Sequence, residues 1–497
     1  MSEAGKSGSY IISIDQSTQG TKALLFDESG NLLMREDKPH RQIVNELGWV
    51  SHDPEEIYRN TVQVIKNLVE RSGVEKEKIA GIGISNQRET SLTWNRDGSP
   101  AADAVVWQCA RAEEICRRIE GAASAEIIRQ RTGLPLSPYF PAAKLAWLLE
   151  HTEGAGEKAA AHELCMGTVD TYLVYRLTHG KSYKTDYSNA SRTQLFNIFE
   201  LKWDEDICSM FGICPEDLAE VCDSDSLFGE TDVEGYFPHP IPIHGVLGDS
   251  HGALLGQGCL KEGMAKCTYG TGSSIMMNVG EKPVVSTHGV VTSLAWGMGG
   301  KVNYVLEGNI NYTGAVISWL KDDVKLIESA GETEALCRSA VQDDTLYFVP
   351  AFTGLGAPYW DSTARASLSG ISRTTGKAEI VRAGIECIAY QITDVVKAMG
   401  EDAGVLPGEL RVDGGPTRNG YLMQFQSDIL DTNVLVPDAE ELSGIGAAYA
   451  AGIGLGMYGG EVFERVRRKR YVPSMEEERR TAKYAGWKKA VGTVLGR

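Results

Sequence analysis

The sequence predicts an α/β protein made of two related halves. Strand-like apolar runs alternate with helix-like stretches along the chain, the signature of α/β layering. A Gly/Thr-rich turn fed by an apolar strand occurs near the N-terminus, and a second lies just past the midpoint. At 497 residues the chain is also longer than one hydrophobic core usually serves, so two domains are expected.

The first half opens as a β-meander. A strand at Tyr10–Ile14 runs through Asp15-Gln16-Ser17-Thr18-Gln19-Gly20-Thr21-Lys22 into a second at Ala23–Phe26. Asp27–Asn31 then turns the chain into a third at Leu32–Arg35. Asp53-Pro54-Glu55-Glu56 starts a helix, because Asp caps free N–H groups, Pro suits the first turn and glutamates complement the dipole. Ile57, Thr61, Ile65 and Leu68 follow at helical spacing. Ile79–Ser85 is a continuous apolar run and reads as a buried strand.

The second half repeats the plan. Gly263–Asn278 gives strand, loop and strand around Cys267-Thr268-Tyr269-Gly270-Thr271-Gly272-Ser273-Ser274. A strand at Val302–Glu307, a helix from Gly314 to Leu320 and a strand at Leu346–Pro350 follow. Glu379–Met399 reads as a long helix, Leu410–Gly415 as a strand ending in a Gly turn, and Leu422–Leu430 as another helix. The boundary is expected near Gly256–Gly258, giving domains 1–257 and 258–497. The basic run Arg465–Arg470 reads as a solvated helix face.

Composition narrows the partners. A net charge of −18 excludes nucleic acid and anionic membrane, since neither would be attracted. The ten cysteines show neither a C-x-x-C pair nor a zinc spacing, which fits reduced thiols in a cytoplasmic protein. The longest apolar stretches, such as Ile445–Gly456, are too short for a membrane span, and no signal peptide is legible.

The Gly/Thr turns carry the chemistry. Tight turns of small residues leave backbone N–H groups pointing outward, and such nests hold phosphate oxygens without net positive charge. Two of them, half a chain apart, point to two half-molecules closing on one nucleotide. Asp15, at the end of its strand, can hold the magnesium ion that accompanies the phosphates, and Lys22 can reach them. Standing alone, each reads equally as a turn carboxylate and a surface lysine. Asp249 follows an apolar run and is flanked by glycines, which suits either a general base or a helix N-cap over Gly252–Gly256. His251 beside it reads as structural. Arg88 and Glu89 offer donors and acceptors for vicinal hydroxyls, or else form a surface ion pair. Trp107 and Tyr139 suit walls over a carbon skeleton, or plain core.

Longer motifs join these residues. Asn86–Thr90, Val106–Cys109, Gly167–Asp170, Asp186–Thr193, Gly270–Gly272, Phe352–Asp361, Arg411–Gly415 and the pattern Tyr139-x-Pro141-x-x-Lys144-x-x-Trp147 resemble those of the FGGY family of carbohydrate kinases. The similarity runs from Tyr10 to about Trp487. It implies two actin-like (RNase H-like) α/β domains around a central nucleotide cleft that closes on its ligands. It also implies ATP- and magnesium-dependent phosphorylation of a terminal hydroxyl of a small polyol or sugar, glycerol first. By position, Asp249 corresponds to the general base, and Asp15 and Asp249 to the metal carboxylates. Thr18, Gln19 and Lys22 correspond to the first phosphate loop, Gly270 and Thr271 to the second, and Gly314, Ile317, Ser318, Gly414, Gly415 and Asn419 to the nucleoside side. Arg88, Glu89, Trp107 and Tyr139 correspond to the acceptor contacts. A homodimer or tetramer is compatible with the resemblance, and a catalytically dead sugar sensor on the same fold is the reading from another class.

Three positions depart from the family pattern. Where glycerol-phosphorylating members carry Gln and Phe against the acceptor, this chain has Ser250 and Ser274. Both changes are large to small, so a four- or five-carbon polyol or ketose (erythritol, erythrulose or xylulose-like) is the alternative substrate. The first loop has Lys22 where Arg is usual, which keeps the charge and loses the fork. Control by fructose 1,6-bisphosphate, known in some members, is expected to be absent. The corresponding loop, Val233–His239, carries Glu234 and no arginine.

Overall fold

Two mixed sheets of matching topology form the frame. The computed structural model describes residues 8–341 and 345–496. In the first domain, strands β1 (Tyr10–Gln16), β2 (Gly20–Phe26) and β3 (Leu32–Pro39) form the expected antiparallel meander. Helix α1 (Pro54–Ser72) follows, with the Asp53 side chain accepting from the Glu55 N–H. Strand β4 (Ile79–Asn86), helix α2 (Val169–Leu177), the short β5 (Gly229–Thr231) and β6 (Ile241–Gly248) complete the layer. The sheet order is β5-β6-β4-β1-β2-β3, with β4 parallel to both β1 and β6. Apolar residues of β1, β4, α1 and α2, among them Ile12, Ile14, Ile65, Leu68 and Leu173, fill one core. A smaller five-stranded sheet, which includes Ser91–Asn95 and Leu164–Thr168, lies beside it in the same half.

Helix α3 (Asp249–Gly256) leads into the second domain. There β7 (Ala265–Tyr269), β8 (Ser273–Gly280), β9 (Val291–Met298) and β10 (Lys301–Ile310) precede the short helix α4 (Gly314–Ser318). Helix α5 (Lys377–Ala403), β11 (Glu409–Asp413), helix α6 (Gly420–Leu430) and β12 (Asn433–Pro437) come next. Helix α7 (Leu442–Gly454), β13 (Arg468–Tyr471) and helix α8 (Glu477–Val494) end the chain. The order β9-β10-β8-β7-β11-β12-β13 contains the run β10-β8-β7-β11-β12, which reproduces β3-β2-β1-β4-β6 of the first domain. The repeat legible in the two Gly/Thr turns is therefore a repeat of topology.

The halves meet through two helices. Helix α7, late in the chain, packs on β1, β4 and β6 of the first sheet and crosses α3. The crossing is close because glycines line it. A Cβ on Gly446 would stand 1.9 Å from the Gly252 carbonyl oxygen, and one on Gly256 2.2 Å from that of Leu442. A separate core joins Leu24, Leu254 and Leu255 to Leu442, Ile445 and Ala448.

The basic run is a correction. Residues 465–470 form no helix face. Arg468–Tyr471 is an edge strand paired antiparallel with β12. Arg468 donates to the Gln257 carbonyl at 2.8 Å and Arg465 to that of Ser29 at 2.6 Å, so two of these arginines tie the chain end to its middle and to the first meander.

Candidate functional site

Both Gly/Thr turns stand at strand ends, the first between β1 and β2 and the second between β7 and β8. In the first, the Ser17 N–H and hydroxyl both bond the Gly20 carbonyl, at 2.8 and 3.0 Å, which folds the turn tightly. The Gln19 side is exposed, and the Thr18 hydroxyl accepts from the Trp107 indole at 2.9 Å. Lys22 bonds Glu441 at 2.7 Å and lies 3.8 Å from Asp15. Glu441 also takes Arg35 at 2.6 Å. Burial, with the like charges of Asp249 and Glu441 behind it, raises the Asp15 carboxyl to about 6, against the pull of Lys22.

The second turn is built from backbone. Gly270 N–H bonds the Gly272 carbonyl at 2.7 Å, and Gly314 and Thr313 N–H groups bond the Gly270 and Thr271 carbonyls at 3.0 and 2.9 Å. Gly414 closes the other side with φ of 100°, and a Cβ there would meet the Tyr269 carbonyl oxygen at 2.0 Å. Three glycine turns thus converge with Gly270, Thr271, Gly414 and Gly415 all exposed. Ile317 is half-buried and Ser318 exposed on α4. Asn419 caps α6 through the Leu422 N–H, while its amide donates to Thr333 at 3.0 Å.

Between the turns lies a polar centre. Asp249 is the first residue of α3, with Gly248 at the cap position, so it is no N-cap; its carboxylate accepts from the Ser250 N–H at 2.6 Å. About a third of its side chain is open (36% exposed), and burial of the rest raises its pKa against the pull of Arg88. Gly248 is required because the Arg88 chain passes over it: a Cβ would stand 2.6 Å from Arg88 Cγ. Glu89 adopts a left-handed conformation (φ 60°), uncommon for a residue other than glycine. Glu89 accepts from Arg192 Nε at 2.6 Å. Trp107 and Tyr139 meet edge to face at 5.7 Å, and buried Lys144 holds the Tyr139 carbonyl. His251 is fully buried and kept neutral by that burial, 3.4 Å from the Ser293 hydroxyl.

Arg88 and Glu89 are buried, not a surface pair, and both Nη atoms of Arg88 are taken by Glu307 at 2.7 and 2.8 Å. Its Nε is the group left without a hydrogen-bond partner. Sequence reasoning missed Glu307, Arg192 and Lys266. Glu307 and Lys266 had a signal: each is a charge flanked by apolar strand residues, on the same strand face as Ser274. Ser274 pairs with Thr268 on one side and Asn309 on the other, so alternation puts Lys266 and Glu307 on that face. Lys266 Nζ lies 3.3 Å from the Ser274 hydroxyl and 3.2 Å from that of Thr268. The space opened by Ser274 is thus bordered by an ammonium already bonded to it.

The oxygen donors of Asp15 and Asp249 suit magnesium; burial first, and the charge of Asp249 after it, raise the Asp15 pKa, and a divalent cation would offset both. The arrangement pairs a partly open carboxylate and a buried guanidinium with two Gly/Thr turns, a set of groups that suits phosphoryl transfer.

Residues 10–256 match the N-terminal domain of the FGGY family of carbohydrate kinases, and residues 265–455 its C-terminal domain. The chain is 46% identical to glycerol kinase 1 of Thermotoga maritima over 98% of its length and 99% of the relative's. It is 45% identical to glycerol kinase of Petrotoga mobilis over 97% of each. The crystal structure of Plasmodium falciparum glycerol kinase with ADP superposes with a TM-score of 0.92 at 37% identity, covering 98% of both chains. The two-domain α/β architecture is that of the actin-like ATPases. The chain belongs to the FGGY family of carbohydrate kinases. It is an ATP-dependent kinase, and these relatives do not favour the longer acceptor raised by Ser250 and Ser274. Among the described residues, no helix is long and apolar enough to cross a membrane.

Proposed function

We propose that the protein transfers the γ-phosphoryl group of ATP to a terminal hydroxyl of glycerol, giving glycerol 3-phosphate and ADP. The observation that carries this is Asp249. It is a partly open carboxylate at the head of α3, 3.4 Å from Arg88 Nε.

In this reading Asp249 accepts the acceptor's hydroxyl proton as its oxygen bonds to the γ-phosphorus and the bond to the β-phosphate oxygen breaks. Arg88 and Glu89 orient the hydroxyls, Trp107 and Tyr139 flank the carbons, and Ser250 and Ser274 border them. Thr18, Gln19 and Lys22 hold the terminal phosphates from one side, and Gly270 and Thr271 from the other. Gly314, Ile317, Ser318, Gly414, Gly415 and Asn419 line the nucleoside side. Mg²⁺, held by Asp15 and Asp249, would neutralise phosphate charge when bound. Residues 1–257 and 258–497 act as two lobes that close to exclude water. A cytoplasmic homodimer or tetramer fits this role.

An ADP-release assay over glycerol, erythritol, erythrulose, xylulose and ribulose tests the substrate. Glycerol should give the highest kcat/KM, and a longer compound exceeding it would overturn the assignment. Asp249→Asn should lower kcat by about 100-fold or more while glycerol KM stays within about 2-fold. Near-normal turnover in that variant would remove Asp249 from the role.

A further inference from the structure

One carboxylate of the second domain is clamped by two arginines of the first. Glu307 on β10 is fully buried. Its Oε2 accepts from Arg88 Nη1 at 2.7 Å and lies 3.1 Å from Arg192 Nη1; its Oε1 accepts from Arg88 Nη2 at 2.8 Å and Asn309 Nδ2 at 3.1 Å. A bidentate pair of this geometry fixes the plane of the guanidinium. With both Nη atoms occupied, Nε is the Arg88 donor without a hydrogen-bond partner, 3.4 Å from Asp249 Oδ1 and 3.9 Å from Glu89 Oε1. Arg192, the other arginine on Glu307, holds Glu89 through its own Nε. Arg88 directly, and Glu89 through Arg192, are therefore fixed by a side chain from the opposite domain.

We propose that Glu307 is a positioning residue: it sets which nitrogen Arg88 presents to the acceptor hydroxyl and completes the acceptor site only when the two domains are together. This rests on Arg88 being an acceptor contact. Without the Glu307 charge, nothing holds the fork away from Asp249, the next carboxylate within reach. An Arg88 fork on Asp249 would fill the position of the hydroxyl to be phosphorylated. The Gly/Thr turns assigned to the nucleotide contain no part of this arrangement, so ATP binding should change far less than glycerol binding.

The test compares Glu307→Gln, Arg88→Ala and the double variant, with glycerol and ATP varied separately and melting temperature recorded. Glu307→Gln should raise glycerol KM by about 10-fold or more and leave ATP KM within about 2-fold. In the Arg88→Ala background the same change should add less than about 2-fold. Equal effects in both backgrounds, or glycerol and ATP KM rising together, would overturn the proposal. An Arg88→Ala enzyme with unchanged glycerol KM would instead refute the acceptor reading on which it rests. If Glu307→Gln does not fold, a crystal structure of the native protein with glycerol decides. Arg88 Nε within hydrogen-bond distance of a hydroxyl, with both Nη on Glu307, supports the proposal; Nη on glycerol refutes it.

Discussion

The two phosphate-type turns occupy equivalent places in repeated topology, yet they are held by different forces. The first is framed by charge: Asp15, Lys22, Glu441 and Arg35 form one chain of ions at its base. The second is framed by shape: backbone bonds among Gly270, Thr271, Gly272, Thr313 and Gly314, with Gly414 pressed on Tyr269. Charge can be screened or titrated, whereas close backbone packing is disturbed chiefly by adding atoms. Equivalent turns of one repeated topology are thus held in place once mainly by charge and once mainly by shape.

The sharpest way to break this contrast is Gly414→Ala. Its backbone is left-handed and its Cβ would collide with a carbonyl oxygen, so the turn must shift. We expect kcat/KM for ATP to fall by about 100-fold or more, with no dependence on salt between 50 and 500 mM (~0.05–0.5 M) beyond that of the native enzyme. Lys22→Met should do less, raising ATP KM by about 10-fold. Here the contrast is the readout: the penalty should shrink in high salt, because the interaction lost is one that salt already weakens. A salt-independent penalty would show that the first turn is also held by shape.

The smallest effect is on stability. The Asp15 carboxyl stands at about 6 in the folded chain, above its ordinary value of 3.8, so the folded state binds this proton more tightly than the unfolded one. The stability it contributes is present below about pH 4 and is lost as pH rises to about 6. Native protein without nucleotide or metal should therefore lose roughly 2–3 kcal/mol across this window relative to Asp15→Asn. Parallel pH curves for the two proteins, measured by denaturant melts, would contradict the burial argument.

Much of this was legible in the chain because it is local. Asp53-Pro54-Glu55 starts a helix wherever it stands, and an apolar strand running into Gly/Thr turns looks the same in both halves. Asp249 could be singled out since glycines flank it. The residues that were missed act through partners far off in sequence: Glu307 meets Arg88 across 219 positions, and Lys22 meets Glu441 across 419. No periodicity records such a pairing. The Arg465–Arg470 run was misread for a related reason, since a charged stretch has no apolar period to tell strand from helix, and its carbonyl partners lie elsewhere in the chain.

Helix α7 has a consequence for how the protein is made. The first sheet needs it as a lid on Gly83 and Gly245, where added Cβ atoms would stand 2.5 Å from the Ala447 carbonyl oxygen. Yet α7 is translated roughly 200 residues after β6 has emerged. At ribosomal speeds of about 5–20 residues per second, one face of that sheet waits on the order of 10–40 s for its cover. During that interval Ile11, Leu24 and Leu247, buried in the finished junction, have no partner from α7. The amino-terminal domain is thus a late product of synthesis despite coming first in the gene, and a ribosome stalled before Leu442 would present holdase chaperones with an apolar sheet.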